Sequence, residues 1–518
     1  MKESYVDVVN LRRRVYAEVA RVAYSDTPIE ELETAAYRLY PGHQGLDPAK
    51  IFRERAIAEE MIRLALGLSV REFNEYKPVI DGFDEANIDE NIFDLPVLDV
   101  IKFACESCPT RHFKVTDNCR SCMAHPCTNV CPVNAVSMGE NGAVIDQDKC
   151  IKCGRCLKTC PYHSIIDTDR PCAAVCGVGA IGSDQYGRAE IDHDKCVACG
   201  RCVTECPFGA IGDKSQIYQL VRAIKSKKRV YAIIAPAYIG QFGALTRPAQ
   251  IKEAIKQLGF QDMIEVGLGA DYTTLHEAKE YLEEVPEKRA FMGTSCCYSW
   301  SLLIDYFYPE FNGNVSDTGS PMRYTAEHIK ADDPEAVVCF IGPCTSKKAE
   351  AIESKVRDYV DFVITFEELM AMFVAKDIEP SEIEVEGDIQ ESSASARGYA
   401  SAGGVAAAVK QAAEALDPSR TIKVEGASTL QECMKLLQMA KAGLKDGYLL
   451  EGMACPGGCR SGMGTIASTT RVKKEINKYM GQADFGLPFD NALIKNDKLR
   501  SRTLDLGEED EEEASEEA

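Results

Sequence analysis

The order of apolar and polar positions changes twice along the chain. Near the start, LRRRVYAEVARVAY and ERAIAEEMIRLALGL carry apolar residues at helical spacing, which predicts amphipathic helices. Past residue 212, short apolar runs alternate with helical stretches such as PAQIKEAIKQLGF. The runs predicted as strands are VYAIIAPA, MIEVGLG, RAFMGTSCC, AVVCFIGPC, VDFVIT, IKVEGAS and GYLLEGMAC. This alternation predicts an α/β fold with mainly parallel sheets, arranged in two lobes.

The same pattern divides the chain into four predicted segments. They are a helical region over 1–100, a cysteine-rich segment over 101–212, an α/β domain over 213–485 and a C-terminal extension over 486–518. The extension ends in GEEDEEEASEEA, which holds eight of the 81 acidic residues and predicts a disordered tail. For the helical region the sequence leaves two roles open, capping the cysteine-rich segment or binding a partner.

Charge and hydropathy exclude two broad classes of protein. The formal net charge of −22 argues against a nucleic-acid-binding surface, which would be basic. No apolar run approaches the ~20 residues that cross a bilayer, and the first residues lack the apolar block of a signal peptide. We therefore expect a cytoplasmic protein with no membrane association.

The 23 cysteines are far more than an ordinary chain contains. A reducing cytoplasm does not support a disulfide framework of that size, so metal ligation is the expected use. The pattern C-x₂-C-x₂-C-x₃-C-P occurs twice, at Cys150, Cys153, Cys156 and Cys160 and at Cys196, Cys199, Cys202 and Cys206. It is the bacterial ferredoxin run, in which three thiolates hold one 4Fe–4S cube and the fourth ligates another. Zinc needs only paired C-x₂-C units and does not account for the fourth cysteine.

Each run has a partner upstream, which indicates a duplicated unit. PCAAVCGVGAI repeats PCTNVCPVNAV, and IDHDKCVACGRC repeats IDQDKCIKCGRC. The second copy lacks its own opening C-x₂-C, and the unassigned pair nearby is Cys105 and Cys108. With this pair the segment holds four cubes and without it three; we predict four. The predicted ligand sets are Cys119, Cys122, Cys127 with Cys160; Cys150, Cys153, Cys156 with Cys131; Cys105, Cys108, Cys172 with Cys206; and Cys196, Cys199, Cys202 with Cys176.

Five further cysteines follow predicted strands of the α/β domain: Cys296, Cys297, Cys344, Cys455 and Cys459. The carboxyl ends of parallel strands converge on one crevice, so these cysteines are expected to meet. The glycines around Cys455 and Cys459 are expected to let the backbone approach a bulky ligand. Cys339 and Cys433 lie inside apolar patterns and are predicted to be packing residues.

The stretches TSCCYSW, GPCTSKKAE and EGMACPGGC resemble, in order, the three signature motifs of the FeFe-hydrogenase catalytic domain. The resemblance covers roughly residues 213–465, and the duplicated segment is similar to that family's ferredoxin-like relay domains. It implies a six-iron H-cluster, in which a 4Fe–4S cube joins a two-iron subcluster carrying CO, cyanide and a bridging dithiolate. The implied cube ligands are Cys297, Cys344, Cys455 and Cys459, with Cys459 as the bridge.

The resemblance also assigns roles to residues around the cluster. Cys296, Ser316, Glu280 and Glu277 match the proton path, and Lys347 matches a cyanide contact that Glu350 accompanies. Pro236 and Ala237 match a second cyanide contact, and Met453 matches an apolar wall. The chain departs from the usual motifs at Gly342, Tyr298, Ala237 and Met322, which indicates a less-studied branch.

The implied function is reversible oxidation of H₂ to protons and electrons. The implied partners are a ferredoxin-like electron carrier and cluster-maturation proteins. Two alternatives remain: a non-catalytic iron–sulfur assembly protein of the same fold, and an H₂ sensor. Sensors carry an added signalling domain that this sequence does not display, and Cys296 and Lys347 argue against the assembly protein.

Overall fold

A computed structural model of the chain describes residues 6–42, 48–72, 74, 76–83 and 95–495. The acidic tail predicted at the end of the chain lies outside the described residues, whereas the first part of the C-terminal extension lies within them. In this described part, none of the helices combines the length and apolarity that crossing a bilayer requires.

The helices are α1 (Val6–Tyr24), α2 (Ala35–Leu39), α3 (Pro48–Ala65), α4 (Pro126–Asn129), α5 (Arg155–Thr159), α6 (Pro171–Ala174), α7 (Arg201–Glu205), α8 (Ile217–Lys225), α9 (Pro248–Gln257), α10 (Gly267–Glu284), α11 (Tyr298–Phe307), α12 (Pro321–Asp332), α13 (Ser346–Glu350), α14 (Phe366–Ala375), α15 (Ala394–Arg397), α16 (Gly404–Leu416), α17 (Leu430–Lys441), α18 (Thr469–Met480) and α19 (Ala492–Lys495). The strands are β1 (Leu98–Val100), β2 (His112–Val115), β3 (Val136–Gly139), β4 (Gly142–Ile145), β5 (Ile165–Thr168), β6 (Ile181–Ser183), β7 (Ala189–Ile191), β8 (Ile211–Asp213), β9 (Val230–Ile234), β10 (Asp262–Glu265), β11 (Met292–Gly293), β12 (Val337–Gly342), β13 (Phe362–Thr365), β14 (Lys423–Ala427) and β15 (Tyr448–Gly452).

Two parallel sheets form the core of the α/β part, which confirms the predicted fold class. The larger sheet has the strand order β10-β9-β12-β13, and the smaller has the order β11-β15-β14. The inner strands β9 and β12 are almost entirely buried, as expected for parallel strands with helices on both faces. Cys339 in β12 and Cys433 in α17 are fully buried, which confirms their packing role.

Two predicted strands are shorter than the sequence suggested. The stretch RAFMGTSCC contributes only the two residues of β11, and MIEVGLG ends as a strand at Glu265. Its last residues instead begin α10 at Gly267. A Cβ on Gly269 would come within 2.1 Å of the Pro321 carbonyl oxygen, so glycine here lets α10 pack directly against the start of α12.

The cysteine-rich segment contains the same set of small elements twice. One set has the antiparallel pair β2/β5, the hairpin β3/β4 and helices α4 and α5. The other has the pair β1/β8, the hairpin β6/β7 and helices α6 and α7. Because β1 precedes the whole first set, the second set is split in sequence by the first. This nesting puts Cys105 and Cys108, which follow β1, in the second set.

The N-terminal helices pack against the α/β part as well as the cysteine-rich segment. Helix α1 lies against α14 and α8, and α3 contacts β8. Arg12 donates two hydrogen bonds to Glu367 of α14, and both side chains are buried. This ion pair attaches α1 to the larger lobe, so the N-terminal region does more than cap the cysteine-rich segment.

Candidate metal centres

A cavity at the carboxyl ends of β9, β11, β12 and β15 collects most of the site residues predicted for the α/β domain. Residues that line it include Pro236, Ala237, Cys296, Cys297, Cys344, Lys347 and Cys459. They come from four separate parts of the chain, two following strands of the larger sheet and two following strands of the smaller sheet. Four of the five cysteines that were expected to converge therefore line one cavity between the ends of the two sheets.

Cys455 and Met453 lie beside this cavity and are not among the described residues that line it. Both are buried. Cys455 is near Cys344 and Cys297, since these thiols raise its pKa further in addition to burial. Met453 belongs to the apolar cluster of buried residues against which Cys296 and Cys459 pack.

The chemistry of these thiols fits a metal cluster. Burial raises the pKa of Cys344 to about 11, and it raises the pKa values of Cys297, Cys455 and Cys459 as well. Burying several negatively charged thiolates in one apolar cavity is unfavourable unless bound metal cations compensate their charge. The thiols thus provide a soft donor set of the kind that iron–sulfur clusters use.

The glycines near Cys459 serve packing of the protein against itself. Gly458 has a φ of +98°, and a Cβ on it would lie 2.5 Å from the Ala402 nitrogen. Close approach of the neighbouring backbone therefore requires glycine at Gly458, and room for a bulky ligand stays a prediction. A Cβ on Gly452, before Cys455, would lie 2.0 Å from the indole of Trp300.

Lys347 is fixed at the cavity by two contacts. Its Nζ donates to the Cys296 carbonyl at 3.1 Å and forms an ion pair with Glu350. Although burial lowers the pKa of Lys347, the neighbouring Glu350 and Cys296 outweigh it and the pKa is raised overall. The ammonium is therefore a permanent positive charge beside the cysteines.

A row of acidic and hydroxyl side chains leads from the cavity toward the surface. Burial raises the pKa of Glu277 to about 8, and its Oε1 accepts hydrogen bonds from the Ser295 amide and hydroxyl. Its Oε2 is buried with no hydrogen-bond partner among the described residues. One helical turn further, Glu280 accepts from Ser316.

Arg289 connects this row to solvent. It donates to Glu280 at 2.8 Å and to Asp317, whose side chain is 82% exposed, at 3.2 Å. Sequence reasoning missed both Ser295 and Arg289. Ser295 directly precedes the paired cysteines at a strand end, a position that could have indicated it, whereas nothing in the sequence indicates Arg289.

The motif departures have structural counterparts. A side chain on Gly342 would place its Cβ 2.4 Å from the ring of Phe340, which itself lines the cavity. Tyr298 also lines the cavity, and its hydroxyl donates to Glu353. Met322 is buried and is not among the described residues that line the cavity. The neighbouring residue Pro321 lines the cavity instead.

Two smaller cavities in the cysteine-rich segment each enclose one predicted ligand set. One is lined by Cys119, Cys122, Cys127 and Cys160. The other is lined by Cys105, Cys108, Cys172 and Cys206. In each set the fourth cysteine comes from the far end of a ferredoxin run, which is the crossed arrangement that the spacing predicts.

The two opening C-x₂-C pairs have the same local geometry. The Cys119 sulfur accepts a hydrogen bond from Ala143 in β4 at 3.4 Å, and the Cys105 sulfur accepts one from Ala189 in β7 at 3.3 Å. Ser121 and Ser107, inside the two pairs, have left-handed φ values of 46° and 48°. Cys105 therefore occupies in the second set the position that Cys119 occupies in the first.

The cysteines of the remaining two sets also lie near one another. Cys150, Cys153 and Cys156 interact electrostatically, and Cys131 packs against the same apolar cluster. Cys196, Cys199 and Cys202 interact with Cys176 in the same way. Cys199 also interacts with Cys344, and Thr345 donates to the Ala198 carbonyl at 2.7 Å, so this set adjoins the main cavity.

Comparison with known proteins agrees with the site. Residues 228–463 match the family model "Iron only hydrogenase large subunit, C-terminal domain". Residues 119–168 and 166–217 each match the LdpA Fe-S cluster-binding domain. The chain is thus FeFe-hydrogenase-like over residues 228–463, and residues 119–217 resemble an iron–sulfur cluster-binding domain.

Individual relatives show how far the similarity extends. The chain is 28% identical over 426 residues to iron hydrogenase 1 of Clostridium pasteurianum, covering 71% of this chain and 73% of the relative. It is 27% identical over 285 residues to the periplasmic [Fe] hydrogenase large subunit of Nitratidesulfovibrio vulgaris, covering 44% and 68%. It is 26% identical over 182 residues to the cytosolic Fe-S cluster assembly factor NAR1 of Meyerozyma guilliermondii, covering 30% and 34%. A solved structure of [FeFe]-hydrogenase HydA1 from Chlamydomonas reinhardtii superimposes with a TM-score of 0.47 at 21% identity, covering 56% of this chain and 95% of that one.

Proposed function

We propose that this protein is an FeFe-hydrogenase that interconverts H₂ with protons and electrons at an H-cluster in the main cavity. The carrying observation is that Cys297, Cys344 and Cys459 line one cavity together with Cys296 and Lys347. The first three, with Cys455 beside them, would hold the cube. When bound, the cofactor supplies the iron site at which H₂ is split or formed.

The chain's own residues would move the proton and fix the cofactor. Cys296 lines the cavity without being one of the four proposed ligands, so its thiol is free to exchange a proton. Glu277, with its pKa near 8, is protonated at neutral pH and can return that proton. Ser316 and Glu280 would extend the path to the surface at Arg289. Lys347 would donate to a cyanide ligand, and Pro236, Ala237 and Met453 would shape the pocket.

The cysteine-rich segment would carry electrons through four 4Fe–4S cubes of a duplicated ferredoxin-like domain. The cube of Cys196, Cys199, Cys202 and Cys176 would be the inner one, because Cys199 adjoins Cys344. At the other end Cys153 is exposed, so its cube would exchange electrons with a ferredoxin-like carrier. Cluster-maturation proteins would load the cofactor, and we propose that these events take place in the cytoplasm.

A second candidate function is iron–sulfur cluster assembly without the two-iron subcluster, which the similarity to the NAR1 factor favours. In that function the cavity would hold a cube alone. Cys296 and Lys347, which line the cavity in addition to the proposed ligands, would then have no partner to serve. This is why we rank hydrogenase activity first. Sensing of H₂ remains a third use of the same site.

Infrared spectroscopy of protein matured with the complete cofactor distinguishes these functions. The hydrogenase proposal expects CO and cyanide stretching bands together with H₂ evolution from a reduced viologen dye. Cubes detected by EPR without such bands would favour the assembly protein, and bands without turnover would favour a sensor. The variant Cys344→Ala should lose the bands, whereas Cys339→Ala, a buried cysteine of the adjoining strand, should keep them.

A further inference from the structure

Four polar side chains other than cysteine line the main cavity, and three of them already have partners. They are Tyr298, Ser346, Lys347 and Tyr399. Lys347 bonds to Glu350 and the Cys296 carbonyl, Tyr298 donates to Glu353, and Tyr399 lies 2.7 Å from the Thr274 hydroxyl. Only Ser346 has a hydroxyl oxygen that is buried and has no partner among the described residues.

The position of Ser346 is fixed by its backbone. Ser346 is the first residue of α13 and lies two residues after the proposed ligand Cys344. The residue is only 1% exposed, so bulk water does not reach it. Buried hydroxyl groups in proteins nearly always have a hydrogen-bond partner, and leaving one without a partner is unfavourable.

We propose that the Ser346 hydroxyl donates a hydrogen bond to an acceptor atom of the cofactor that fills this cavity. The proposal rests on the proposed function, because the H-cluster is that cofactor. Its suitable acceptors are cube sulfurs and cyanide nitrogens, both electron-rich atoms that a neutral donor stabilises. Ser346 would thus change the electronic properties of the cofactor in addition to the permanent charge of Lys347, which lies on the same short helix.

A hydrogen bond to the cofactor has a predictable electronic effect. Donors near an iron–sulfur cluster stabilise its reduced, more negative state and so raise its reduction potential. Removing the Ser346 hydroxyl should therefore lower the midpoint potential of the cube. If the acceptor is a cyanide, the cyanide stretching bands should also shift.

The test compares Ser346→Ala with Ser346→Thr, which keeps the hydroxyl, and with the matched control Ser299→Ala. Ser299 lies two residues after Cys297, as Ser346 lies two residues after Cys344, and it is equally buried. Its hydroxyl donates a hydrogen bond to the Val197 carbonyl at 2.8 Å. Infrared spectra are recorded on cofactor-loaded protein, and the cube potential is measured by EPR titration of protein that carries the cubes alone.

The proposal expects Ser346→Ala to shift the bands, the potential or both, while Ser346→Thr and Ser299→Ala keep the wild-type values. A band shift identifies cyanide as the acceptor, and a lowered potential in the cube-only protein identifies sulfur. The proposal is also supported if Ser346→Ala no longer takes up the cofactor and Ser346→Thr does. Unchanged bands and potential in Ser346→Ala, or equal losses in both Ser346 variants, overturn it. Absence of bands in the wild-type protein overturns the proposed function itself, which keeps the two failures distinct.

Discussion

Ser295 donates two hydrogen bonds to the same carboxylate oxygen of Glu277, from its amide at 2.7 Å and from its hydroxyl at 2.8 Å. This contact joins the middle of α10 to the residue directly before Cys296. The contact holds the buried carboxyl group of Glu277 beside the main cavity. The second oxygen of this group has no hydrogen-bond partner among the described residues. The arrangement suits a group that passes a proton to a neighbour.

Replacing Glu277 by glutamine should therefore slow turnover by about 100-fold or more, since glutamine cannot exchange a proton. The matched control is Glu283→Gln on the same helix, where the side chain is exposed. H₂ evolution from a reduced viologen dye measures both variants after infrared spectra have established equal cofactor loading. Equal turnover in Glu277→Gln and the wild-type protein would remove Glu277 from the path.

The same residue should make stability depend on pH. Burial raises the pKa of Glu277 from its ordinary 4.5 to about 8, so between these values the folded protein keeps a proton that the unfolded chain releases. Stability must then fall as the pH rises from about 4.5 to 8, by about 2–5 kcal/mol from this group alone. Thermal unfolding across that range should show a shallower decline for Glu277→Gln. Some decline should remain, because burial also raises the pKa of Asp271 to about 7; an identical slope in both proteins would contradict the assignment.

Cys105→Ser tests whether the segment holds four cubes. Because Cys105 lines a cavity with Cys108, Cys172 and Cys206, its loss should reduce the iron content by about one cube, that is about four iron atoms per chain. Chemical iron determination and EPR of the reduced protein provide the measurement. Cys433→Ala, a buried cysteine with a packing role, should retain all the iron. If Cys105→Ser loses none, the segment holds three cubes.

The attachment of α1 should be important for stability. Arg12→Leu removes the more buried of two arginines that pair with Glu367, which should lower the free energy of unfolding by about 3 kcal/mol. Arg21→Leu removes the partly exposed ion pair with Glu18 and should change the free energy of unfolding by less than about 1 kcal/mol. Urea unfolding under anaerobic conditions compares them, and equal losses would show that the buried pair contributes no more than the exposed one.

Phe340 should oppose restoration of the family's usual methionine at Gly342. In Gly342→Met the new side chain would collide with the Phe340 ring, so the variant should lose about 1–3 kcal/mol of stability. Combining it with Phe340→Ala should recover part of the loss, because the two side chains compete for one space. Simple additivity of the two losses in thermal unfolding would show that they do not share that space.

Short-range patterns in the sequence predicted the larger part of the fold. The apolar runs of β9 and β12 and the helical spacing of α9 are local properties, and the structure has these elements where the patterns place them. Where a long-range contact decides the conformation, local patterns failed. Gly267 and Gly269 look like the end of a strand, but the close approach of α12 makes them the start of α10.

The cysteines illustrate the same division at the candidate sites. Their spacing alone predicted crossed ligand sets for the ferredoxin runs, because loop geometry at C-x₂-C is local. The sequence also predicted the set that contains Cys105 and Cys206, but only the fold shows what brings these two cysteines together, namely the pairing of β1 with β8 across the whole inserted first set.

The sequence by itself determined which side chains are candidate iron ligands and where most strands and helices lie, because both follow from residue type and near-neighbour spacing. Only the tertiary structure decided which side chains have no partner among the described residues, as with the Ser346 hydroxyl and Glu277 Oε2. Whether a buried polar atom has a partner depends on groups that arrive from distant parts of the chain, and packing alone brings them together.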